Sequence, residues 1–97
     1  MTNKESKATK MYINSIIEDV QTRFVSEETT FFSENRIERM YEFADGAIVK
    51  YEWQSPFESG ADGFNHKFTL STPPKPNPEK LKVGVLRVIT YDESEEL

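Results

Sequence analysis

The stretch that decides the fold is RIERMYEFADGAIVKYEWQ, residues 36–54. Asp45-Gly46 lies between two runs of alternating apolar and polar side chains, and this arrangement is a strong signal of a β-hairpin. Two registers compete for these residues. If Asp45-Gly46 formed a two-residue turn, the charged Lys50 and Glu52 would share a face with Tyr41 and Phe43. That register mixes charge into the apolar side of the hairpin.

A three-residue loop, Ala44-Asp45-Gly46, separates the two faces more cleanly. A slip of one residue moves the whole apolar set of a strand to the wrong side, so the cleaner register is predicted. Gly46 then takes the left-handed position of a bulged type I turn. The predicted apolar face holds Ile37, Arg39, Tyr41, Phe43, Ala47, Val49, Tyr51 and Trp53, and the polar face holds Arg36, Glu38, Met40, Glu42, Ile48, Lys50, Glu52 and Gln54.

An amphipathic helix is predicted upstream of the hairpin, over about residues 9–25. Its apolar side chains recur at helical spacing and fall on one stripe. Isoleucine and valine are mediocre helix formers, so the helix needs support from a packed neighbour. The stripe consists of Tyr12, Ile13, Ile16, Ile17, Val20 and Phe24.

Further strands are predicted on both sides of the hairpin. Residues 29–32 are β-rich and form a possible short strand, which the pattern leaves open. Residues 55–63 read as a loop, and residues 64–71 alternate, with Phe64, His66, Phe68 and Leu70 facing inward. A last strand, over about residues 82–91, is apolar on both sides, which is typical of a strand covered on both faces. Residues 72–78 hold four of the five prolines and are expected to form an extended connector.

A helix followed by consecutive strands predicts the α+β class. We expect an N-terminal amphipathic helix packed on one face of an antiparallel sheet of four to five strands. The 97 residues suit one domain, with residues 1–8 and 92–97 expected as disordered tails.

Composition excludes several classes of function. The chain has no cysteine, which removes disulfide frameworks and thiolate metal sites. Its net charge of −5 disfavours a nucleic-acid partner. No apolar run is long enough to span a membrane, so a cytoplasmic protein is the expectation. No nucleophile elbow, phosphate loop or dinucleotide fingerprint occurs, and we assign no catalytic residue, metal or cofactor.

Four residues are candidates for a binding site. His66 is the only histidine, and its strand position places it inward, where a structural role competes with a ligand role. Trp53 and Phe57 flank the entrance to the long loop, as the rim of the core or as interaction anchors. Arg39 is the one charge on the apolar hairpin face. It either extends outward to solvent or pairs with an acid at the sheet edge.

Residues 41–54 and 65–70 carry a resemblance. The segments YEFADG, YEWQ and NHKFTL resemble small uncharacterised proteins of gammaproteobacteria, over roughly residues 36–71. The resemblance implies a bacterial cytosolic origin, and it transfers no functional residues to this chain.

Two classes of function follow as expectations. The first is a non-enzymatic interaction or regulatory module that contacts a protein partner or self-associates, with a homodimer as one form. The aromatic loop entrance and the two-sided last strand motivate it. The alternative is a small-molecule binding protein or minor enzyme with a pocket between helix and sheet near His66.

Overall fold

A computed structural model of the chain describes residues 6–55 and 65–90. The elements in chain order are helix α1 (Lys7–Ile17), a 3₁₀ turn (Gln21–Arg23), and strands β1 (Phe24–Phe32), β2 (Arg36–Phe43), β3 (Ile48–Gln54), β4 (His66–Thr72) and β5 (Gly84–Ile89). The strands form one antiparallel sheet in the order β1-β2-β3-β4-β5. The α+β class, the N-terminal helix and the antiparallel sheet are therefore confirmed.

The central hairpin adopts the three-residue loop. Arg36 faces Gln54, and the register continues without a break to Glu42 opposite Ile48. The Phe43 N–H donates to the Ala47 carbonyl at 2.8 Å, and the Gly46 N–H donates to the Phe43 carbonyl at 2.9 Å. Gly46 has a φ of +90°, as the bulged turn requires. The separation of apolar from polar side chains thus identified the register correctly.

Replacing Gly46 with valine will lower the free energy of unfolding by about 1–2 kcal/mol, because an L side chain is strained at this φ. Asparagine tolerates positive φ better than most residues, so Gly46→Asn is the matched control and will lose less. Urea denaturation of the three proteins measures the difference. Equal stability of the valine variant and the wild type would contradict this account of the turn.

Helix α1 is shorter than predicted and is displaced toward the N-terminus. The Ser6 hydroxyl accepts the Thr9 N–H at 3.1 Å and caps the helix, which therefore begins within the segment expected to be a disordered tail. The helix ends at Ile17, and Asp19 follows with a left-handed φ of 53°. The prediction that the helix continues to residue 25 is wrong, because the chain turns at Asp19.

Phe24 joins the core from a strand instead of from the helix. It opens β1 and packs its ring 4.7 Å from the Tyr41 ring and 5.4 Å from the Phe43 ring. An apolar residue at helical spacing is buried equally well at the start of an adjacent strand. The possible strand at residues 29–32 is the second half of β1.

The core lies between α1 and one face of the sheet. Tyr12, Ile13 and Ile16 of α1 are buried against this face, and the Tyr12 ring packs 4.7 Å from the Phe43 ring. The buried apolar residues contributed by the sheet and its loops are Tyr41, Phe43, Ala47, Val49, Phe68, Leu70 and Ile89. We call the α1 side of the sheet the helix side and the other the open side.

Strand β5 differs from its prediction, because a register shift lies between Phe68 and Thr69 in its pairing with β4. The shift places Val85 opposite Thr69, and Val88 lies opposite Lys67 before the shift. Both valines are therefore on the open side, where Val85 is 55% and Val88 40% exposed. Leu86 packs instead against the core. The expectation that both faces of this strand are covered is therefore wrong.

The proline-rich connector contains neither helix nor strand between β4 and β5. A connector is present as predicted, but it is not extended throughout, because the chain bends at Lys75 and Pro76 and turns at Pro78; Thr72 itself ends β4. The long loop predicted for residues 55–63 lies outside the described residues beyond Ser55. Phe64, at the start of the next predicted strand, lies outside them too.

Candidate functional site

Helix α1 leaves part of the helix side of the sheet uncovered. Eleven residues of α-helix extend about 16 Å, which is enough to cover the end of the sheet that carries the hairpin loop. Two rows of side chains cross the strands at the other end. The first row is Phe32, Ile37, Trp53, His66 and Ile89, and the second is Thr29, Arg39, Tyr51, Phe68 and Arg87.

A cleft follows these two rows and consists of two adjoining pockets, of about 360 Å³ and about 380 Å³. Arg39 and Tyr51 line both pockets and form the boundary between them. The first pocket is also lined by Ile16, Ile17, Asp19, Tyr41, His66 and Ile89, and the second by Thr29, Phe32, Ile37 and Trp53. The first pocket therefore lies between the C-terminal end of α1 and the sheet, and the second continues the cleft across the sheet toward β1.

Tyr51 and His66 form a hydrogen-bonded pair in the cleft. The Tyr51 hydroxyl lies 2.7 Å from His66 Nδ1, and the two rings stack with centroids 5.8 Å apart. Burial raises the pKa of Tyr51 to about 12 and lowers the pKa of His66 below its usual value. At neutral pH the phenol is therefore protonated and the imidazole uncharged.

These protonation states assign the direction of the hydrogen bond. An imidazole nitrogen that carries no proton is a better acceptor than a phenol oxygen, so we assign Tyr51 as the donor and Nδ1 as the acceptor. The proton of the neutral imidazole then resides on Nε2. Nε2–H has no hydrogen-bond partner among residues 6–55 and 65–90, so it is available to a molecule in the cleft.

Arg39 pairs with an acid at the sheet edge, the second of its two expected arrangements. One of its terminal nitrogens, Nη2, donates to Glu27 Oε1 on β1 at 2.8 Å, and its guanidinium lies 5.5 Å from the centre of the Tyr41 ring. Arg39 Nε is buried and has no hydrogen-bond partner in the described part of the chain. The ion pair balances the charge of Arg39, and the guanidinium keeps a planar surface beside the cleft.

The structure brings three of the four predicted site residues together. His66, Arg39 and Trp53 all line the cleft, and Phe57 lies outside the described residues. Tyr51 is not among the predicted site residues, although the predicted hairpin register places it on the same face as Arg39 and Trp53. The sequence signal that points to Tyr51 is its position opposite Arg39, the only charged residue on the apolar face of the hairpin.

A second group of ionisable side chains lies on the open side of the sheet. Glu38 faces Glu52 across β2 and β3, and Lys50 Nζ lies 3.0 Å from Glu38 Oε1. Hydrogen bonds from Arg36 and then Lys50 lower the pKa of Glu38. Arg36 and Lys50 thus offset the repulsion between Glu38 and Glu52 on the sheet surface. Within residues 6–55 and 65–90, no three potential ligands are arranged to hold a metal ion.

The comparisons with known proteins give no match: no protein family, no curated protein and no solved structure matches this chain. The resemblance to small gammaproteobacterial proteins over residues 36–71 therefore stays a prediction. Among the described residues, no helix has the length and apolar character needed to cross a membrane.

Proposed function

We propose that the domain binds a small, planar organic molecule in the cleft that extends from the C-terminal end of α1 across the sheet. The observation that supports this most directly is the Tyr51–His66 pair in a cleft that aromatic side chains line on both sides of Arg39. Each of the two pockets has a volume in the range of small-molecule sites, and such sites combine apolar walls with a few placed polar groups. This is the second of the two functions expected from the sequence.

The side chains of the cleft favour an uncharged ring system with a hydrogen-bond acceptor. Trp53 and Tyr51 offer flat apolar surfaces, and His66 Nε2–H offers a donor to a carbonyl or ring nitrogen. Glu27 offsets the charge of Arg39, and Asp19 also lines the first pocket, so these three side chains together carry one negative charge. The cleft therefore has no excess positive charge that would select an anion.

Binding of 2-quinolone, a neutral bicyclic lactam, tests this proposal by NMR titration. We expect saturable shifts of the Trp53 indole and His66 ring signals with a Kd of about millimolar, as suits a ligand of this size. The anion 2-naphthoate will bind more weakly because the cleft has no excess positive charge, and the cation 2-naphthylmethylammonium will bind more weakly because it offers no acceptor to His66 Nε2–H. Because Trp53 supplies a wall, Trp53→Ala will abolish saturation.

Val85→Ala on the open side is the control, since it shortens an exposed side chain far from the cleft and should leave binding unchanged. Tyr51→Phe tests the hydrogen-bonded pair and will weaken binding severalfold, because Nδ1 loses its donor. Shifts that do not saturate, or that persist unchanged in Trp53→Ala, would refute the proposal.

Protein contact is the second candidate function, and a separate observation favours it. Strand β1 is exposed along nearly its whole length and carries two exposed phenylalanines. An exposed edge strand of this kind is suited to pairing with the same strand of a second copy. The predicted resemblance supports a bacterial cytosolic setting for either function.

A further inference from the structure

Strand β1 is a long, exposed edge of the sheet. Within residues 6–55 and 65–90 it pairs with β2 alone, and all of its nine residues except Phe24 are exposed. Val25, Phe31 and Phe32 are 63%, 43% and 74% exposed. Exposed edge strands readily pair with another strand, and apolar side chains on the edge strengthen that tendency.

The sequence of β1 is complementary to itself when the strand is reversed. The nine residues FVSEETTFF are centred on Glu28, and positions equally distant from this centre have similar chemistry. Phe24 corresponds to Phe32 and Val25 to Phe31, so both ends are apolar. Ser26 corresponds to Thr30, which pairs two hydroxyls, and Glu27 corresponds to Thr29.

The faces of the strand agree with this symmetry. Phe24 lies opposite Phe43 and Phe32 opposite Ile37, so both phenylalanines belong to the helix side. Glu27 and Thr29 also lie on that side, opposite Tyr41 and Arg39. A two-fold axis perpendicular to the sheet brings residues of the same face together in an antiparallel pair. The register shifts of β1, which flank Val25 and Thr30, lie on either side of the centre.

We propose that two copies of this chain associate through antiparallel β1 strands, with Glu28 opposite Glu28 of the second copy. The two five-stranded sheets then form one continuous sheet with both helices on the same side. Phe24 of each copy packs against Phe32 of the other, which covers the most exposed phenylalanine of the described residues. Because Phe32 also lines the cleft, the second copy adds a wall beside it.

The symmetric pairing has one unfavourable contact, between the two copies of Glu28. Pairing with an unrelated strand would lack this contact, so substitutions of Glu28 distinguish the two cases. Glu28 meets its own copy at the two-fold axis, and like charges directly opposite each other destabilise a strand pair. A single strand pair is a small interface, so we expect a weak dimer with a dissociation constant in the micromolar range or above.

Sedimentation equilibrium up to millimolar concentration measures the association. We expect a monomer–dimer equilibrium in the wild type and about two- to fivefold tighter dimerisation in Glu28→Gln, because the repulsion is removed. Glu28→Lys replaces the repulsion between two carboxylates with repulsion between two ammonium groups. The homodimer of this variant will therefore be no tighter than that of Glu28→Gln. A mixture of wild type and Glu28→Lys will form heterodimers in preference to either homodimer.

Two matched substitutions distinguish the edges of the sheet. Val25→Thr on β1 will weaken the dimer, whereas Val85→Thr on the other edge strand will not. Circular dichroism will show that both variants are folded. A wild type that stays monomeric at millimolar concentration would overturn the proposal, and so would a dimer that is insensitive to Glu28 or a mixture without preferred heterodimers.

Discussion

Replacing Phe68 with alanine will destabilise the domain by about 3–5 kcal/mol, the range for truncation of a large buried aromatic side chain. Phe68 of β4 is fully buried, and its ring lies 5.2 Å from the Tyr51 ring. Small domains have only about 5–15 kcal/mol of stability in total. The variant should therefore unfold at a much lower urea concentration than the wild type, as followed by circular dichroism.

Two comparisons make this prediction specific to the core. Phe68→Leu keeps most of the buried volume and should lose much less stability than Phe68→Ala. Phe32→Ala makes the same chemical change at a position that is 74% exposed, and in dilute solution it should cost less than about 0.5 kcal/mol. Similar losses from Phe68→Ala and Phe32→Ala would show that α1 does not pack on the sheet as described.

Tyr12→Phe will lower the free energy of unfolding by about 1.5–3 kcal/mol, the usual contribution of a hydrogen bond to a charged group. The Tyr12 hydroxyl donates to Asp45 Oδ2 at 2.5 Å and joins α1 to the loop of the central hairpin. Tyr12 is fully buried, and the same Asp45 carboxylate also accepts the Ala47 N–H at 3.0 Å. Removal of one hydroxyl therefore weakens the contact between the helix and the hairpin.

This contact also has a pH signature. Burial, followed by the nearby Asp45 carboxylate, raises the pKa of Tyr12 above its usual value of 10.0. A group whose pKa is raised by folding contributes its full stabilisation below the pKa of the unfolded state and loses it as the pH rises further. The stability difference between wild type and Tyr12→Phe should thus narrow above about pH 10.

Tyr41→Phe is the matched control for this prediction. Tyr41 is buried as well, at 2% exposure, but its hydroxyl makes no hydrogen bond to the described residues. The Tyr41→Phe variant should therefore lose less stability than Tyr12→Phe at neutral pH. If the two variants lose the same stability, the hydrogen bond to Asp45 does not hold the helix on the hairpin.

The hairpin was predictable from sequence because its information is local. Asp45-Gly46 marks the turn, and the alternation on both sides allows only one register that keeps charge off the apolar face. That register places Arg39, Tyr51 and Trp53 on one face before any tertiary contact is considered. The inward position of His66 followed in the same way from the alternation of β4.

The ends of the helix and the faces of β5 were less predictable, for different reasons. Phe24 continues the apolar periodicity of α1, but the chain turns at Asp19 and Phe24 begins β1 instead. The spacing of apolar residues is compatible with either position, so it could not locate the end of the helix. In β5 a single register shift moves Val85 to the open side. A β-bulge depends on the pairing of two strands, so the pattern of one strand cannot reveal it.

The sequence by itself determined the α+β class, the bulged hairpin and the face that each of its side chains occupies, because turn chemistry and strand alternation act over neighbouring residues. Only the tertiary structure decided which part of that face remains open. The cleft exists because an eleven-residue helix covers one end of a longer sheet, and the Tyr51–His66 pair exists because two strands meet side by side. Both depend on distances between elements that are far apart along the chain.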